Sequence, residues 1–559
     1  MVCRDPPTVQ RWLLLVCSWL SFASHAGAGV ASCLSRRGAT YRLHTVVPDV
    51  AVEAYHPTSV YETYGDGLQI AFSTSGQSFN IDSIINSFLV SKPDVNVSAL
   101  QRISALSTER TRFAYYVQSH DSISFINAGV HVGLDAMTGK VFAFSSSFFS
   151  PVRISSPRPS ASLDSALPQV EEFLRGKARS KPTQLAYLAR SDGSASLYYA
   201  IPIQRASIAE GQEMIVNPED YEASPLGWHN DGKADMTVTS GNNTLSFKWL
   251  DPGYAYSNGK LSNSADPDSL TFSIHYNTAL PLDNPTNLEA ARTNAFYVMN
   301  VMHDVFYRYG FTEDAFNFQV TNLRGSGMTK AADPVRLSVQ AQGAGVNNAF
   351  FASPAEYVSF IAPNRDGAIA NDILVHEVTH GLTQRMTGGG TSRCLQTLEA
   401  EGLGEGWSDI MAEFVQLTGG EMRDYAFATA VHEVADIGEV WGNILHNILA
   451  VLIDKYGWSS AAMTDPSGPE GNIVYLHLFI DALPLQPCNP TCTPSNLLNA
   501  TTAHPECLQV VQARDAFIQA DAIRYDGVNK CLLWRVFAGR GLGVNAANYI
   551  DDSTIPDDC

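Results

Sequence analysis

The segment His376-Glu377-Val378-Thr379-His380 restricts the fold of this chain most, because it has the form H-E-x-x-H. Two histidines four residues apart point the same way if the segment is a helix, since four residues are slightly more than one turn. Both imidazoles can then bind one Zn²⁺, while Glu377 projects about 100° around the helix towards the open side of the metal. The pattern therefore predicts a helix that starts near Asn371 or Asp372, either of which can cap it.

A second motif, Gly404-Glu405-Gly406-Trp407-Ser408-Asp409, supplies the carboxylate that such a site still lacks. A hydrolytic zinc site uses three protein ligands and keeps one position for water, whose pKa the metal lowers towards neutrality. Glu405, 25 residues after His380, is the predicted third ligand, on a helix over residues 405–417. Asp409 lies one turn beyond it and is predicted to accept a hydrogen bond from the far nitrogen of a ligating imidazole.

Glu377 lies beside these ligands without binding the metal, so it can take a proton from the attacking water and pass it to the leaving amine. Together the motifs predict a zinc-dependent protease with one Zn²⁺ per chain. H-E-x-x-H alone occurs by chance in roughly a few per cent of chains this long, so the second motif is essential to the prediction. A metzincin is disfavoured, because that class has another His six residues after His380, where this chain has Met386.

Charge and the N-terminal residues indicate where the protein acts. The formal net charge of −20 argues against unassisted nucleic-acid binding and against a polybasic membrane-surface role. Arg4 and Arg11 precede a short apolar run, and small residues then lead to a cleavage site after Ala26 or Ala28. No later run reaches about 18 apolar residues. We expect a secreted protein with a signal peptide over residues 1–26 and no membrane span.

The cysteines fit an exported chain. Two of the nine fall in the predicted signal peptide, which leaves seven. Export to an oxidising compartment favours disulfides, especially among the five cysteines from Cys488 onward. Cys488 and Cys492 have the spacing of half a metal site, but no matching His or Cys pair follows, so a disulfide is favoured. Because seven is odd, one thiol is free or pairs between chains.

Composition divides the chain into segments. Residues 122–125 and 130–134 alternate apolar with polar or small positions, and a turn at residues 135–140 then leads to residues 141–144, which predicts antiparallel hairpins. A linker rich in proline and serine follows at residues 150–162, and the composition changes again near residues 198–206. Apolar residues at intervals of three and four predict helices over Thr293–Tyr309 and Trp441–Tyr456. We interpret His303, His446 and His477 as hydrogen-bonded residues rather than ligands.

The second half of the chain resembles the fungalysins, secreted fungal metallopeptidases related to thermolysin. In combination the matching blocks are highly specific, and they cover most of that half. Residues from about 80 to 149 resemble, more weakly, the propeptide module of fungalysins and thermolysins. The blocks are Ser224–His229, Asn294–Phe311, His376–Arg385, Arg393–Gln396, Gly404–Asp409, Asp436–Trp441, Leu452–Gly457 and Gln512–Gly543.

The resemblance implies an α+β fold. A two-lobed thermolysin-like catalytic domain, with a β-rich N-terminal lobe and a helical C-terminal lobe, would follow an α+β propeptide. Together with the composition change, the match places the propeptide over residues 27–198 and the peptidase domain over residues 199–559. Membership would imply a zymogen whose propeptide acts as an intramolecular chaperone and inhibitor. It would also imply extracellular protein or peptide substrates, and we expect a monomer.

The resemblance assigns roles to individual residues. His376, His380 and Glu405 match the family's zinc ligands, and Glu377 matches its catalytic acid/base. Asn348-Ala349 resembles the edge segment that pairs with substrate backbone in this superfamily. A simple tight turn is the alternative there.

The chain also departs from the family pattern between its last two motifs. Only about 26 residues separate Asp409 from Asp436, where fungalysins carry a long segment. The family's oxyanion-stabilising His corresponds to Ala435, and His432 can replace it only if the chain shifts by about one turn. Such a donor is worth ~10²–10³ in rate. A second hypothesis is therefore a catalytically weak, secreted peptidase-like protein that binds extracellular protein.

Overall fold

The computed structural model describes residues 41–47, 50–57, 59–70, 81–92, 94–108, 110–159, 163, 167–168, 177–178, 184–200, 203–204, 223–248, 261–262, 272, 274–277, 279–281, 283–324, 331–340, 348–352, 357–361, 367–392, 394–417, 433–488, 511–547 and 550–559. The predicted signal peptide, His432 and the cysteines Cys33, Cys492 and Cys507 lie outside these residues. The chain divides into two compact units. The first combines residues 1–205, 393–401 and 481–559, and the second combines residues 206–392 and 402–480.

The first unit is built around an eight-stranded sheet. Its main strand order is β3-β7-β6-β10-β11-β8, with β5 also paired to β6 and β4 paired to β5. Two small sheets, β1-β2 and β9-β12, accompany it. The strands are β1 Tyr41–Val47, β2 Val50–Tyr55, β3 Val60–Leu68, β4 Leu100–Ser107, β5 Thr111–His120, β6 Ile123–Asp135, β7 Val141–Ser146, β8 Arg153–Ile154, β9 Lys177–Ala178, β10 Gln184–Ala189, β11 Ser194–Ala200 and β12 Ile203–Gln204.

Three helices lie wholly in the described part of this unit: α1 Ile81–Val90, α7 Val511–Tyr525 and α8 Lys530–Gly539. Helix α1 turns Ile84, Ile85, Phe88 and Leu89 onto the sheet, where they pack with residues of β5, β6 and β7. Spacings of one, four and five residues put these side chains on one face of the helix. The module of residues 60–146 thus has its own apolar core.

The predicted hairpin around residues 135–140 is confirmed. The Asp135 carboxylate accepts hydrogen bonds from the backbone N–H groups of Met137 and Thr138, and β7 pairs antiparallel with β6. The sequence, however, breaks residues 122–134 into two alternating runs, whereas the structure has one continuous strand, β6. Pairing with β5 and β7 on either side carries the strand through the glycine at position 129.

The second unit contains a four-stranded sheet and the helices that surround it. The strand order is β13-β14-β16-β15, in which β15 is the antiparallel strand at one end. Among the described residues, no helix is long and apolar enough to cross a membrane. The elements are β13 Thr244–Lys248, α2 Pro285–Arg308, β14 Val335–Val339, β15 Asn348–Ala352, β16 Tyr357–Ile361, α3 Asn371–Thr387, α4 Leu398–Gln416, α5 Glu433–Tyr456 and α6 Gly471–Leu485. The first four residues of α4 and the last five of α6 are counted with the first unit. The α+β fold is as predicted.

The helices exist where periodicity places them, but three of them begin earlier than predicted. Helix α2 begins at Pro285, because Asn284 caps it by accepting from the Thr286 N–H and proline suits the first turn. Helices α4 and α5 begin seven and eight residues before the predicted starts at residues 405 and 441. Helix α3 begins at Asn371, but its N-cap residue is Ala370, so the predicted cap at Asn371 or Asp372 is wrong.

Contacts at both ends fix helix α3. At its start, the Asn294 amide of α2 donates to the Ala368 carbonyl at 2.8 Å and to Asn371 Oδ1 at 2.9 Å. At its end, the fully buried Arg385 donates to Asp333 Oδ2 at 3.0 Å and to the Phe316 carbonyl at 2.9 Å. A buried positive charge, such as the guanidinium group of Arg385, is stable inside a protein only when it is paired with an anion and hydrogen-bonded. The helix is thereby held at both ends within the second unit.

Two disulfides confirm the expectation from cysteine usage. Cys394 bonds to Cys488, across 94 residues, and Cys531 bonds to Cys559, across 28 residues. Both lie within the first unit. Cys488 therefore belongs to a disulfide rather than to a metal site.

Replacing Arg385 is expected to destabilise the second unit strongly. Arg385→Leu leaves the Asp333 carboxylate buried without its cation, a change that typically lowers the free energy of unfolding by about 3–5 kcal/mol. The measurement is urea-induced unfolding followed by tryptophan fluorescence. The double variant Arg385→Leu/Asp333→Leu is expected to recover part of the loss, and the exposed Arg540→Leu to change stability by less than about 0.5 kcal/mol. Equal stability of Arg385→Leu and Arg540→Leu would contradict this account.

Candidate metal centre

Helix α3 brings the two predicted histidine ligands together. His376 and His380 lie one turn apart, and their Nε2 atoms are 3.0 Å from each other. The ring centroids are 4.7 Å apart and the ring planes are nearly perpendicular, at 82°. Both side chains remain partly exposed, at 20% and 14%. The two nitrogens therefore converge at a place that a ligand can reach from solvent.

Helix α4 supplies the predicted carboxylate to the same place. Glu405 Oε2 lies 3.2 Å from His376 Nε2 and 3.4 Å from His380 Nε2. Among the described residues, these three side chains form the group able to hold a metal ion. Two helices separated by a loop in the sequence thus assemble one set of donor atoms.

The three donor atoms fit a zinc ion. In a tetrahedral site with bonds of about 2.0–2.1 Å, ligand atoms lie about 3.3 Å apart, and the observed separations are 3.0, 3.2 and 3.4 Å. Two imidazole nitrogens and one carboxylate oxygen are also the donor set of catalytic zinc sites that keep an open position. The size and the chemistry of the cluster therefore agree.

The electrostatics of the cluster favour a positive charge among these atoms. Burial alone raises the pKa of Glu405, but the nearby His380 and His376 outweigh it and lower the pKa. Burial alone lowers the pKa of His376, but hydrogen bonds to Asp409 and Glu405 outweigh it and raise the pKa well above its usual value. Each shift reflects attraction between the carboxylates and the protonated, positively charged imidazoles.

Asp409 lies where the sequence predicts it. Its Oδ1 atom is 2.9 Å from Nδ1 of His376, the ring nitrogen that faces away from Glu405. A hydrogen bond there fixes the Nδ1–H tautomer and leaves the Nε2 lone pair for a ligand. The spacing of four residues between Glu405 and Asp409 puts both carboxylates on one face of α4. The two carboxylates therefore contact the two ring nitrogens of His376, Glu405 at Nε2 and Asp409 at Nδ1.

Glu377 is buried beside the cluster, with 5% of its surface exposed. Burial raises the pKa of its carboxyl group, although the charges on His376 and His380 act in the opposite direction. One carboxylate oxygen, Oε2, makes no hydrogen bond to the described residues. The backbone N–H of Phe351 donates a hydrogen bond to the carboxylate. A carboxyl group of raised pKa, with a free oxygen next to a metal site, suits proton transfer.

Phe351 is the contact that sequence reasoning missed. A backbone N–H group has no side-chain pattern by which the sequence could reveal it. The sequence offers only the position of Phe351, two residues after Ala349 on the same strand, β15. The Phe351 ring is buried against α3, and a Cβ added at Gly381 would lie 2.7 Å from it. Glycine directly after His380 therefore lets the strand approach the helix closely.

The segment Asn348-Ala349 begins strand β15 rather than forming a tight turn. In the sheet of the second unit, β15 pairs on one side with β16. Because the Phe351 N–H points to Glu377, it points away from β16. Alternate residues of a strand direct their backbone groups to the same side, so those of Ala349 also face away from β16.

His303, His446 and His477 are hydrogen-bonded as interpreted, and none of the three belongs to the group of described residues able to hold a metal ion. His303 Nδ1 lies 3.0 Å from Asp304, His446 Nδ1 lies 2.7 Å from Glu413, and His477 Nε2 lies 2.9 Å from the Pro466 carbonyl. Ala435 is in the first turn of α5, and its side chain is outside the described part. His432 is also outside it, so the oxyanion role stays a prediction.

Comparison with known proteins places these motifs in a family. The family model for fungalysin metallopeptidase (M36) matches residues 197–432 and 420–546. The two matched segments overlap at residues 420–432, between the end of α4 and the start of α5. Together they span well over half of the chain.

Extracellular metalloproteinases of several organisms are similar to about three fifths of the chain. An extracellular metalloproteinase of Aspergillus flavus is 35% identical over 399 residues, which are 62% of this chain and 59% of the relative. An extracellular metalloproteinase of Pyricularia oryzae is 34% identical over 61% of this chain and 58% of its own length. Extracellular metalloproteinase 1 of Trichophyton tonsurans is 35% identical over 63% and 60%. The chain thus matches less than two thirds of each relative's length. From the extent of the family match and the ligand motifs within it, the chain belongs to the fungalysin metallopeptidase family.

Proposed function

We propose that this protein is a secreted, zinc-dependent endopeptidase that is made as a zymogen and hydrolyses extracellular proteins. The observation that supports the proposal best is the convergence of His376, His380 and Glu405 to within 3.4 Å, with the buried Glu377 beside them. Family membership and relatives named as extracellular metalloproteinases support the reaction and the location.

Each residue of the site has a distinct role in this proposal. His376, His380 and Glu405 hold one Zn²⁺, and Asp409 fixes the tautomer of His376. A bound Zn²⁺ supplies acidification of a water molecule and polarisation of the substrate carbonyl. Glu377 accepts the proton of the attacking water and donates it to the leaving nitrogen. The raised pKa of Glu377 suits this exchange, because proton transfer is most efficient when the pKa of the catalytic group is close to the working pH.

Strand β15 is the proposed site for the substrate backbone. The backbone groups of Ala349 face away from β16, on the side where the Phe351 N–H meets Glu377. An extended peptide that pairs there adds a strand to the sheet. Its scissile bond then runs past Glu377 and the metal ligands. Asn348, at the start of the strand, contributes to the same segment.

Contacts within the first unit support the zymogen. The Gln519 side chain of α7 accepts from the Gly65 N–H at 3.1 Å and donates to the Gly65 carbonyl at 2.9 Å. Arg110 donates to the Ile523 carbonyl of the same helix at 3.2 Å. The module of residues 60–146, which we assign to the propeptide, is therefore bound to a helix that we assign to the peptidase domain.

Replacing the proposed proton-transfer group is expected to abolish most cleavage but not metal binding. Glu377→Gln should retain about one zinc per chain and lower kcat/KM by about 10²–10⁴-fold, the usual contribution of a general acid–base group. The assay is cleavage of a quenched-fluorescence peptide library by the secreted, processed protein, with zinc measured by elemental analysis. Glu289→Gln on α2 is the matched control. A zinc-loaded wild type that is folded yet inactive would favour the binding-protein hypothesis, and an active Glu377→Gln would contradict the mechanism.

Removing the charge of Asp409 is expected to weaken zinc binding. Asp409→Asn keeps the shape of the side chain but loses the anion that orients and polarises His376. Loss of such a partner typically costs 10–100-fold in metal affinity. Competition with a chromogenic chelator measures the affinity, and the exposed Asp454→Asn on α5 controls for loss of one negative charge. Equal affinities in the two variants would show that Asp409 does not support the ligand.

Replacing Gln519 is expected to release the N-terminal module more easily after processing. Gln519→Leu removes both hydrogen bonds to Gly65, and at about 1 kcal/mol each this loss weakens binding by roughly 10–30-fold. The measurement is retention of the cleaved N-terminal segment on the C-terminally tagged protein during a dilution series. Arg110→Ala should act in the same direction, whereas the exposed Arg158→Ala should match the wild type. Identical retention in all four proteins would refute this contact.

A further inference from the structure

Helices α4 and α5 each carry two glycines four residues apart. These are Gly402 and Gly406 on α4, and Gly438 and Gly442 on α5. A separation of four residues puts each pair on one face of its helix. Glycine is a poor helix former, so two such pairs in facing helices need a reason in the packing.

The reason is a crossing in which the two backbones touch. A Cβ atom added at Gly406 would lie 2.4 Å from the Gly438 carbonyl oxygen and 2.9 Å from the Gly442 nitrogen. A Cβ atom added at Gly438 would lie 3.1 Å from the Gly402 carbonyl oxygen. A side chain at Gly406 or Gly438 would therefore collide with the facing helix. Gly406 and Gly438 therefore allow this close approach, and each faces backbone atoms of the other helix's glycine pair.

The crossing lies directly under the proposed third zinc ligand. Glu405 is next to Gly406, and its own Cβ would be 2.7 Å from a Cβ at Gly438. The side chain of Glu405 therefore starts beside Gly438 of α5. From there its Oε2 atom extends to His376 and His380. The converging donor atoms are an observation independent of the glycines, and they identify the ligand that this packing serves.

Aromatic packing holds the same helices at that distance. Trp407, next to Gly406, lies edge-on to Trp441 of α5 at 5.4 Å and to Phe479 of α6 at 4.6 Å, and both tryptophans are fully buried. Large side chains flank the crossing while glycine occupies its centre. Helix α4 therefore cannot rotate about its axis, or move away from α5, without breaking this packing.

We propose that Gly438 and Gly406 are positioning residues for the metal site: their contact sets the direction in which Glu405 leaves α4. This role rests on the proposed zinc function. A methyl group at Gly438 must push Glu405 and α4 away from α5. The Glu405 carboxylate then moves relative to the two imidazoles, which α3 holds separately.

The test compares two glycine variants that both disturb α5. Gly438→Ala acts at Glu405. Gly471→Ala, at the start of α6, places a Cβ 2.1 Å from the Leu452 carbonyl oxygen of α5, which lies away from the ligands. Both should lower the thermal stability of the metal-free protein. Only Gly438→Ala is expected to lower zinc affinity, by about 10–100-fold, and to change the visible spectrum of the Co²⁺-substituted protein, which reports coordination geometry.

Further variants make the outcome decisive. Gly406→Ala is the second variant at the crossing, and Glu405→Gln shows the affinity and spectrum when the ligand itself is altered. Wild-type affinity and spectrum in Gly438→Ala or Gly406→Ala would overturn the positioning role while leaving the metal site intact. An equal loss of affinity in Gly471→Ala would also overturn it, because general destabilisation would then explain the effect. A wild type that binds no zinc would overturn both the metal site and this role.

Discussion

Two imidazole nitrogens and a carboxylate oxygen, held within 3.4 Å of one another, are the constraint on which the rest of the second unit depends. Lone pairs and negative charge at such distances repel unless a cation or protons lie among them, so a flexible chain would separate them. Helix α3 is fixed by Asn294 at its start and by the buried Arg385 at its end. Helix α4 is fixed by its backbone contact with α5. The site is thus precise because two rigid helices are anchored away from it.

The helical period explains why the sequence predicts the site better than the fold around it. A spacing of four residues is enough to bring His376 to His380, and to put Glu405 and Asp409 on one face. Contacts between distant segments leave no comparable pattern. The Phe351 N–H, the Asp333 partner of Arg385 and the early start of α4 all depend on neighbours far along the chain. The continuous strand β6 is stabilised by pairing on both sides, which its own sequence does not reveal.

The first unit joins parts of the chain that the sequence assigns to different domains. The N-terminal module and residues 481–559 share this compact unit. The cysteines of the Cys394–Cys488 disulfide also belong to it, although the 94-residue loop that they close runs mostly through residues 402–480 of the second unit. Closing so long a loop removes much freedom from the unfolded chain, about 4–5 kcal/mol in the chain-entropy model. A disulfide forms and persists in an oxidising environment, which accords with the proposed secretion.

The side of strand β15 that faces away from β16 has a consequence for which proteins the proposed peptidase would attack. A sheet edge recognises a partner through its backbone, which every polypeptide shares, so side chains contribute little to the first contact. A folded protein keeps its own backbone groups paired, and it can offer an extended segment only after local unfolding. Susceptibility to the proposed peptidase would then depend more on the local stability of the target protein than on the target's sequence. Denatured and naturally unstructured proteins would be cleaved first, and compact proteins only when a segment unfolds locally.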